Sequence, residues 1–110
     1  MIQNHSIPKA PPHLSPASKA WWRLVATKYD LQSHHLKILQ TAAESWDRLC
    51  QARTAIDEKG LTFEDRLGNV RPRPELSTER DCRIAFLRAV RELGLDAAEV
   101  ENPRPAAVNR

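Results

Sequence analysis

The chain has 110 residues, 41% of them hydrophobic, and 17 basic against 14 acidic side chains give it a formal charge of +3. This length excludes more than one domain, and a core this small favours self-association. The charge permits contact with nucleic acid without requiring it. No run of about 18 apolar residues is present, so we expect no membrane partner. The only cysteines, Cys50 and Cys82, lie far apart without a secretory signal, which indicates reduced thiols and a cytoplasmic protein.

The first element in chain order is a proline-rich segment, residues 1–14, which we predict to be a flexible, extended N-terminal arm. Ser15 can cap a helix and Pro16 fits its first position, so a first helix is predicted over residues 16–29. Trp21 falls in the middle of the apolar face of this helix, which makes it a core anchor. Trp22 falls at the edge of that face, where it is free to meet a neighbour.

The second predicted helix covers residues 34–59, with Ser33 as its N-cap and Gly60 at its end. Its apolar arc spans roughly 200°, whereas an ordinary surface helix shows a stripe of about 100°. One partner cannot easily cover both flanks, so we expect this helix to contact its own chain on one side and another subunit on the other. The alternative is that the two remaining helices of the same chain cover it.

The short alternating runs within residues 61–72 predict a small β-hairpin with its turn near Gly68. An isolated hairpin is marginally stable, so we expect it to pack against a helix or a neighbouring subunit. A third helix is predicted over residues 76–93. The fold class is therefore mainly α: a helical hairpin-like core of three helices with a β-hairpin between the second and third, in an oligomer. Residues 15–94 form the predicted oligomerisation and DNA-binding domain, and residues 95–110 a flexible C-terminal tail.

The sequence contains no recognisable catalytic constellation, and we expect no enzymatic activity and no cofactor. Each glycine sits at a helix end or a turn, so there is no glycine-rich phosphate loop. His34 and His35 point about 100° apart on a helix, which does not suit a metal pair, and we expect no metal site. The position of His35 on the apolar arc favours a core or interface role.

The basic residues suggest a DNA-binding surface. Five of them cluster in the arm, the first helix and the start of the second helix, and two flank Pro72 after the hairpin. The alternative is an ordinary solvated face, because mildly basic surfaces are common. The candidate DNA-binding residues are Lys9, Lys19, Arg23, Lys28, Lys37, Arg71 and Arg73.

Two arginines interrupt the apolar helix faces. Arg53 lies four residues before Asp57, and Arg83 lies four residues after Glu79. These pairs have two possible explanations. Either they are polar contacts that define a subunit interface, or the aliphatic part of each arginine covers apolar surface while its guanidinium group reaches water. The predicted oligomer interface consists of Trp22, Leu39, Trp46, Leu49, Arg53, Ile56, Arg83 and Phe86.

The order of motifs over residues 8–95 resembles that of phage terminase small subunits. The motifs are Pro-Pro-x-Leu-Ser-Pro-x-Ser-Lys-x-Trp-Trp at residues 11–22, Ala-x-x-Trp at residues 43–46, and Lys-Gly-Leu-Thr from Lys59. A Gly-Asn hairpin and a last helix ending Arg-Glu-Leu-Gly-Leu95 complete the series. The tail departs from the family pattern, because Asp-Ala-Ala-Glu-Val replaces the usual Thr-Pro-Ser-type turn at residues 96–100.

The resemblance implies a non-enzymatic component of viral genome packaging. Such proteins assemble into homo-oligomeric rings, bind double-stranded viral DNA and deliver it to the terminase large subunit, which carries the ATPase and nuclease. They act in the host cell cytoplasm. The alternative function is a helical protein–protein scaffold without a DNA role, in which the basic residues only aid solubility.

Overall fold

The computed structural model describes residues 7–95, which form three helices and one β-hairpin. The predicted fold class is confirmed as far as this arrangement goes. The predictions for residues 1–6 and 96–110 lie outside the described part of the chain. The elements in chain order are α1 (Pro16–Lys28), α2 (Ser33–Lys59), β1 (Thr62–Glu64), β2 (Val70–Pro72) and α3 (Pro74–Leu93).

The start of α1 is as predicted, and the start of α2 is not. Ser15 caps α1 by accepting a hydrogen bond from the Ser18 amide at 3.1 Å. Gln32, not Ser33, is the N-cap of α2. The Gln32 amide donates to Nδ1 of His35 at 3.1 Å, so the histidine gives the N-cap backbone a partner, as in a capping box. His35 is half-buried and acts at the helix end, which corrects the prediction of a core role.

The third helix begins earlier than predicted, at Pro74 rather than residue 76. Proline suits the first turn because the amide it lacks would have no partner there. Gly94 ends the helix in the left-handed conformation, with φ of 74°, which a residue with a side chain rarely adopts.

The two long helices, α2 and α3, run antiparallel. Arg53 near the end of α2 contacts Glu79 near the start of α3, and Leu39 and Leu93 share one core cluster at the opposite ends. Both flanks of α2 are used within the chain, since α1 and α3 each pack on it. The alternative in which the chain's own helices cover the apolar arc therefore holds for the deeply buried positions of α2, which are Leu39, Ala42, Ala43, Leu49 and Ala52.

The buried face of α1 is turned by about one residue from the predicted face. Trp22 is 3% exposed, so its prediction as an edge residue free to meet a neighbour is wrong. Ser18 is also buried, because its hydroxyl donates to the Asp47 carboxylate on α2 at 2.6 Å. That hydrogen bond fixes the rotation of α1. Trp21 is half-buried and packs against Phe86 of α3, with ring centroids 5.6 Å apart.

Several predicted interface residues are occupied within the chain. Leu39 and Leu49, like Trp22, are buried by its own helices and offer no surface to a second copy, which corrects the prediction for these three residues. Phe86 packs against Trp46 as well as Trp21, with ring centroids 5.1 Å apart from Trp46. Ile56 is half-buried, and Trp46 remains 37% exposed.

The two arginines that interrupt the apolar faces share one carboxylate. Arg83 pairs with Glu79 as its spacing suggests. Arg53 pairs with the same Glu79 at 3.1 Å rather than with Asp57 on its own helix. The carboxylate from α3 is the nearer partner because the antiparallel packing places it against the end of α2. These charges therefore connect α2 to α3 within one chain.

The β-hairpin stands apart from the helices. Its strands pair antiparallel with Phe63 opposite Arg71, and every strand residue is exposed. The Asp65 side chain accepts hydrogen bonds from the amides of Leu67 and Asn69, both at 2.9 Å, and Gly68 supplies a φ of 82°. The turn thus forms where the sequence predicts it. We expected a helix to pack against the hairpin and stabilise it, but no helix buries the strand residues.

Candidate nucleic-acid interface

The described part of the N-terminal arm is packed against the helices rather than extended away from them. The indole N–H of Trp22 donates to the carbonyl of Pro8 at 3.1 Å. Leu14 is 4% exposed and belongs to the same cluster as Leu39 and Leu93. The burial of Trp22 under the arm explains why the sequence pattern of α1 alone misplaced this residue.

A carboxylate on α2 holds the junction between the arm and α1. Asp47 accepts hydrogen bonds from the Ser15 amide at 2.8 Å and from the Ser15 and Ser18 hydroxyls, each at 2.6 Å. Burial of the Asp47 carboxyl opposes its ionisation, but these hydrogen bonds outweigh burial and hold its pKa below the usual value. The start of α1 is thereby tied to the middle of α2.

A second contact lies beside this junction. Nε2 of His13 lies 2.7 Å from a carboxylate oxygen of Glu44. The pKa of Glu44 is lowered, chiefly by a hydrogen bond from Gln40 and further by His13, against the opposing effect of burial. Both side chains are largely exposed, so this pair adds less to stability than the Asp47 contacts.

The packed arm and α1 together enclose a basic groove of about 440 Å³. Lys9 comes from the arm, and Lys19 and Arg23 come from adjacent turns of α1. None of the described residues that line this groove is acidic. We call it the arm groove. The residues that line it are Ile7, Pro8, Lys9, Ala10, Pro12, Lys19, Arg23 and Thr27.

The chemistry of the arm groove suits a phosphate group. Lysine and arginine form charge-assisted hydrogen bonds with phosphate oxygens, and arginine can do so through two N–H groups at once. Lys19 and Arg23 are fixed to one helix, while Lys9 depends on the hydrogen bond between Trp22 and Pro8. The structure thus brings together three of the seven predicted DNA-binding residues.

The other predicted basic residues lie outside the arm groove. The Lys28 ammonium lies 5.7 Å from the centre of the Tyr29 ring, within the range of a cation–π contact. Lys37 is exposed on the first turns of α2. Both can contribute to a positive field near α1, but neither of them lines the arm groove.

The second predicted patch lies on the hairpin side of the molecule. Arg71 pairs with Asp65 at 3.0 Å, which offsets its charge. Hydrogen bonds from the backbone of Asn69 and from Arg71 hold the pKa of Asp65 below its usual value. Arg73 is half-buried as the N-cap of α3. These two arginines are therefore less available to a phosphate than the residues of the arm groove.

The sequence reasoning missed an exposed face of α3. Ile84 is 44% exposed and Leu87 is 56% exposed. Arg80, Arg88 and Arg91 are also exposed and share this face at helical spacing. The signal that could have found it is the pair of large apolar residues one turn apart on the side of α3 opposite its buried Ala89 and Leu93.

Within residues 7–95, no group of three or more His, Cys, Asp and Glu side chains is placed to hold a metal ion. No helix in the same part of the chain is long and apolar enough to cross a membrane.

A sequence model of the family described as "Phage terminase, small subunit" matches residues 17–104. The chain belongs to the phage terminase small-subunit family. This match covers α1, α2, the hairpin and α3, and confirms the resemblance drawn from the motif order. No curated protein and no solved structure matches the chain.

Proposed function

We propose that this terminase small subunit is an oligomeric DNA-binding adaptor without enzymatic activity. It recognises double-stranded viral DNA in the host cell cytoplasm and delivers it to the large subunit, which carries the ATPase and nuclease. Family membership supports the packaging role. The ring assembly and the delivery of DNA follow from what the family resemblance implies, and we propose both for this chain.

The observation that carries the DNA-binding part of the proposal is the arm groove. Lys9, Lys19 and Arg23 converge there from two segments, and no carboxylate among the lining residues competes for them. Scattered surface lysines would produce only a diffuse positive field. Convergence of three cations on one concavity instead provides a place where a backbone phosphate can be held. Lys28, Lys37, Arg71 and Arg73 are proposed as outer contacts.

The test replaces Lys19 and Arg23 together by alanine and measures affinity for duplex DNA over a range of salt concentrations. Each phosphate contact that is lost reduces the slope of log K against log salt by about 0.9, so the double variant should flatten the slope by about 2 and bind more weakly at low salt. The matched control removes two charges elsewhere, by Lys59→Ala with Arg66→Ala, and should change the slope much less.

An unchanged slope in the Lys19→Ala, Arg23→Ala variant would contradict the arm groove as the phosphate site. Absence of any DNA binding by the unaltered chain at low salt, with self-association intact, would favour the alternative function of a helical scaffold. These two results separate a wrong site from a wrong function.

A further inference from the structure

The three helices differ in length, and this difference leaves part of α2 uncovered. The start of α1 is tied to Asp47, near the middle of α2, and α1 packs on the half of α2 that contains Leu39 and Ala43. Beyond Asp47, α2 continues to Lys59 beside α3, while of the described residues only His13 and Ser15 of the arm and the first turn of α1 at Ala17 approach its other flank. The flank that α1 would cover if it were longer is open in this second half.

A groove of about 560 Å³ lies along this open flank. Trp46 lines it with 37% of its surface exposed, although its ring also packs against Phe86. Cys50 is exposed in the same groove, and Ala17 at the start of α1 forms its edge. We call this the Trp46 groove. Polar side chains complete its lining, namely His13, Ser15, Asp47, Gln51 and Thr54, and Glu44 lies one turn before Asp47 on α2.

The outward face of α3 has the complementary character. Ile84 and Leu87 are exposed by 44% and 56% and form an apolar ridge. Arg80, Arg88 and Arg91 surround this ridge. The exposed acids next to these arginines are Asp81, which pairs with Arg80 at 3.4 Å, and Glu92. The ridge therefore presents apolar side chains flanked by positively charged arginines.

We propose that the Trp46 groove of one copy receives the α3 ridge of a second copy. The dimensions agree, because Arg80 to Arg91 spans about 16 Å of helix and Glu44 to Thr54 spans about 15 Å. The charges also agree in sign, because the ridge carries three arginines and the groove is bordered by two carboxylates and one arginine. Asp47 and Glu44 already accept hydrogen bonds within their own chain, and Arg48 is the arginine beside them. Leu87 and Ile84 cover the exposed part of Trp46, which removes apolar surface from water on both copies.

The contact is head-to-tail, because the groove and the ridge are different surfaces of the same chain. A contact of this kind forms a closed ring when its rotation closes, which an interface between identical patches cannot do alone. The inference rests on the proposed oligomeric adaptor and names the surfaces that build it. It also leaves the arm groove free, because Lys19 and Arg23 belong to neither surface.

The native cysteine in the Trp46 groove allows a direct test. In a Cys82→Ser background, Leu87→Cys places a thiol on the ridge, and treatment with a short bismaleimide should join it to Cys50 of the neighbouring copy. Ile84→Cys provides a second position in case the register differs by one turn. The cross-linked product should disappear when Cys50→Ser is added. The matched control is Leu24→Cys, an apolar position on α1 that is more exposed than either ridge position and should remain uncross-linked.

The outcomes separate this inference from the proposed function. Cross-linking through position 84 or 87 that depends on Cys50 supports the inference. A native mass that shows an oligomer, without this cross-link, overturns it and leaves the adaptor role intact. A strict monomer at micromolar concentration overturns both the inference and the proposed ring, while DNA binding measured on the same sample still reports on the arm groove.

Discussion

The two halves of α2 differ in what covers them. The first half is enclosed by α1 on one side and α3 on the other, and Leu39 and Ala43 are fully buried there. In the second half Leu49 and Ala52 are buried as well, but Trp46 and Cys50 remain accessible on an open flank. The second half of the helix thus has one buried flank and one open flank, whereas the first half is covered on both sides. A wide apolar arc need not mean that a second subunit lies along the whole helix.

The largest expected effect separates the buried interior of α2 from its open flank. Leu39→Ala removes a completely buried side chain in the enclosed half and should lower the free energy of unfolding by about 2–5 kcal/mol. Cys50→Ala in the open half should change it by no more than about 0.5 kcal/mol in the monomer. Urea titration at low protein concentration measures both. Equal losses in the two variants would contradict an open flank at Cys50.

A smaller effect is expected at the boundary between the halves, where Asp47 holds the start of α1. Asp47→Asn weakens hydrogen bonds from Ser15 and Ser18 to a charged acceptor and should cost about 1–3 kcal/mol at neutral pH. Asp57→Asn, on the exposed end of α2, is the matched control and should be nearly neutral. Urea titrations of the three proteins measure the differences.

The Asp47 contribution should also depend on pH. Its pKa is lowered in the folded chain, so its stabilisation is complete above the unfolded pKa of about 3.9 and is lost as the pH falls through the folded pKa. The stability difference between the wild type and Asp47→Asn should therefore shrink below about pH 4. A difference that stays constant down to pH 2 would show that the carboxylate charge does not hold this junction.

Much of the fold was predictable because its signals are local. Ser15 and Pro16 mark the start of α1, Gly60 and Gly94 mark helix ends, and Gly68 marks the turn. Each of these residues acts through its own backbone conformation or through contacts within one turn. Pattern reasoning is sufficient for such features.

The errors have a common physical cause, which is contact between segments distant in sequence. The burial of Trp22 depends on the arm folding back to place Pro8 against its indole. The partner of Arg53 is Glu79 because α3 returns along α2. Helical periodicity reports which residues share a face, but it does not report which distant segment covers that face. The grouping of Lys9 with Lys19 and Arg23 was suggested by sequence proximity and required the packed arm to become a groove.

The measurement that tests the central claim most directly uses two blocked variants. Cys50→Arg fills the Trp46 groove of one chain, and Leu87→Glu places a repelling charge on the α3 ridge of the other. Each variant should be monomeric by native mass spectrometry, whereas an equimolar mixture should form a dimer, because one chain retains its ridge and the other its groove. A mixture that stays monomeric, or a single variant that assembles like the wild type, would contradict the account.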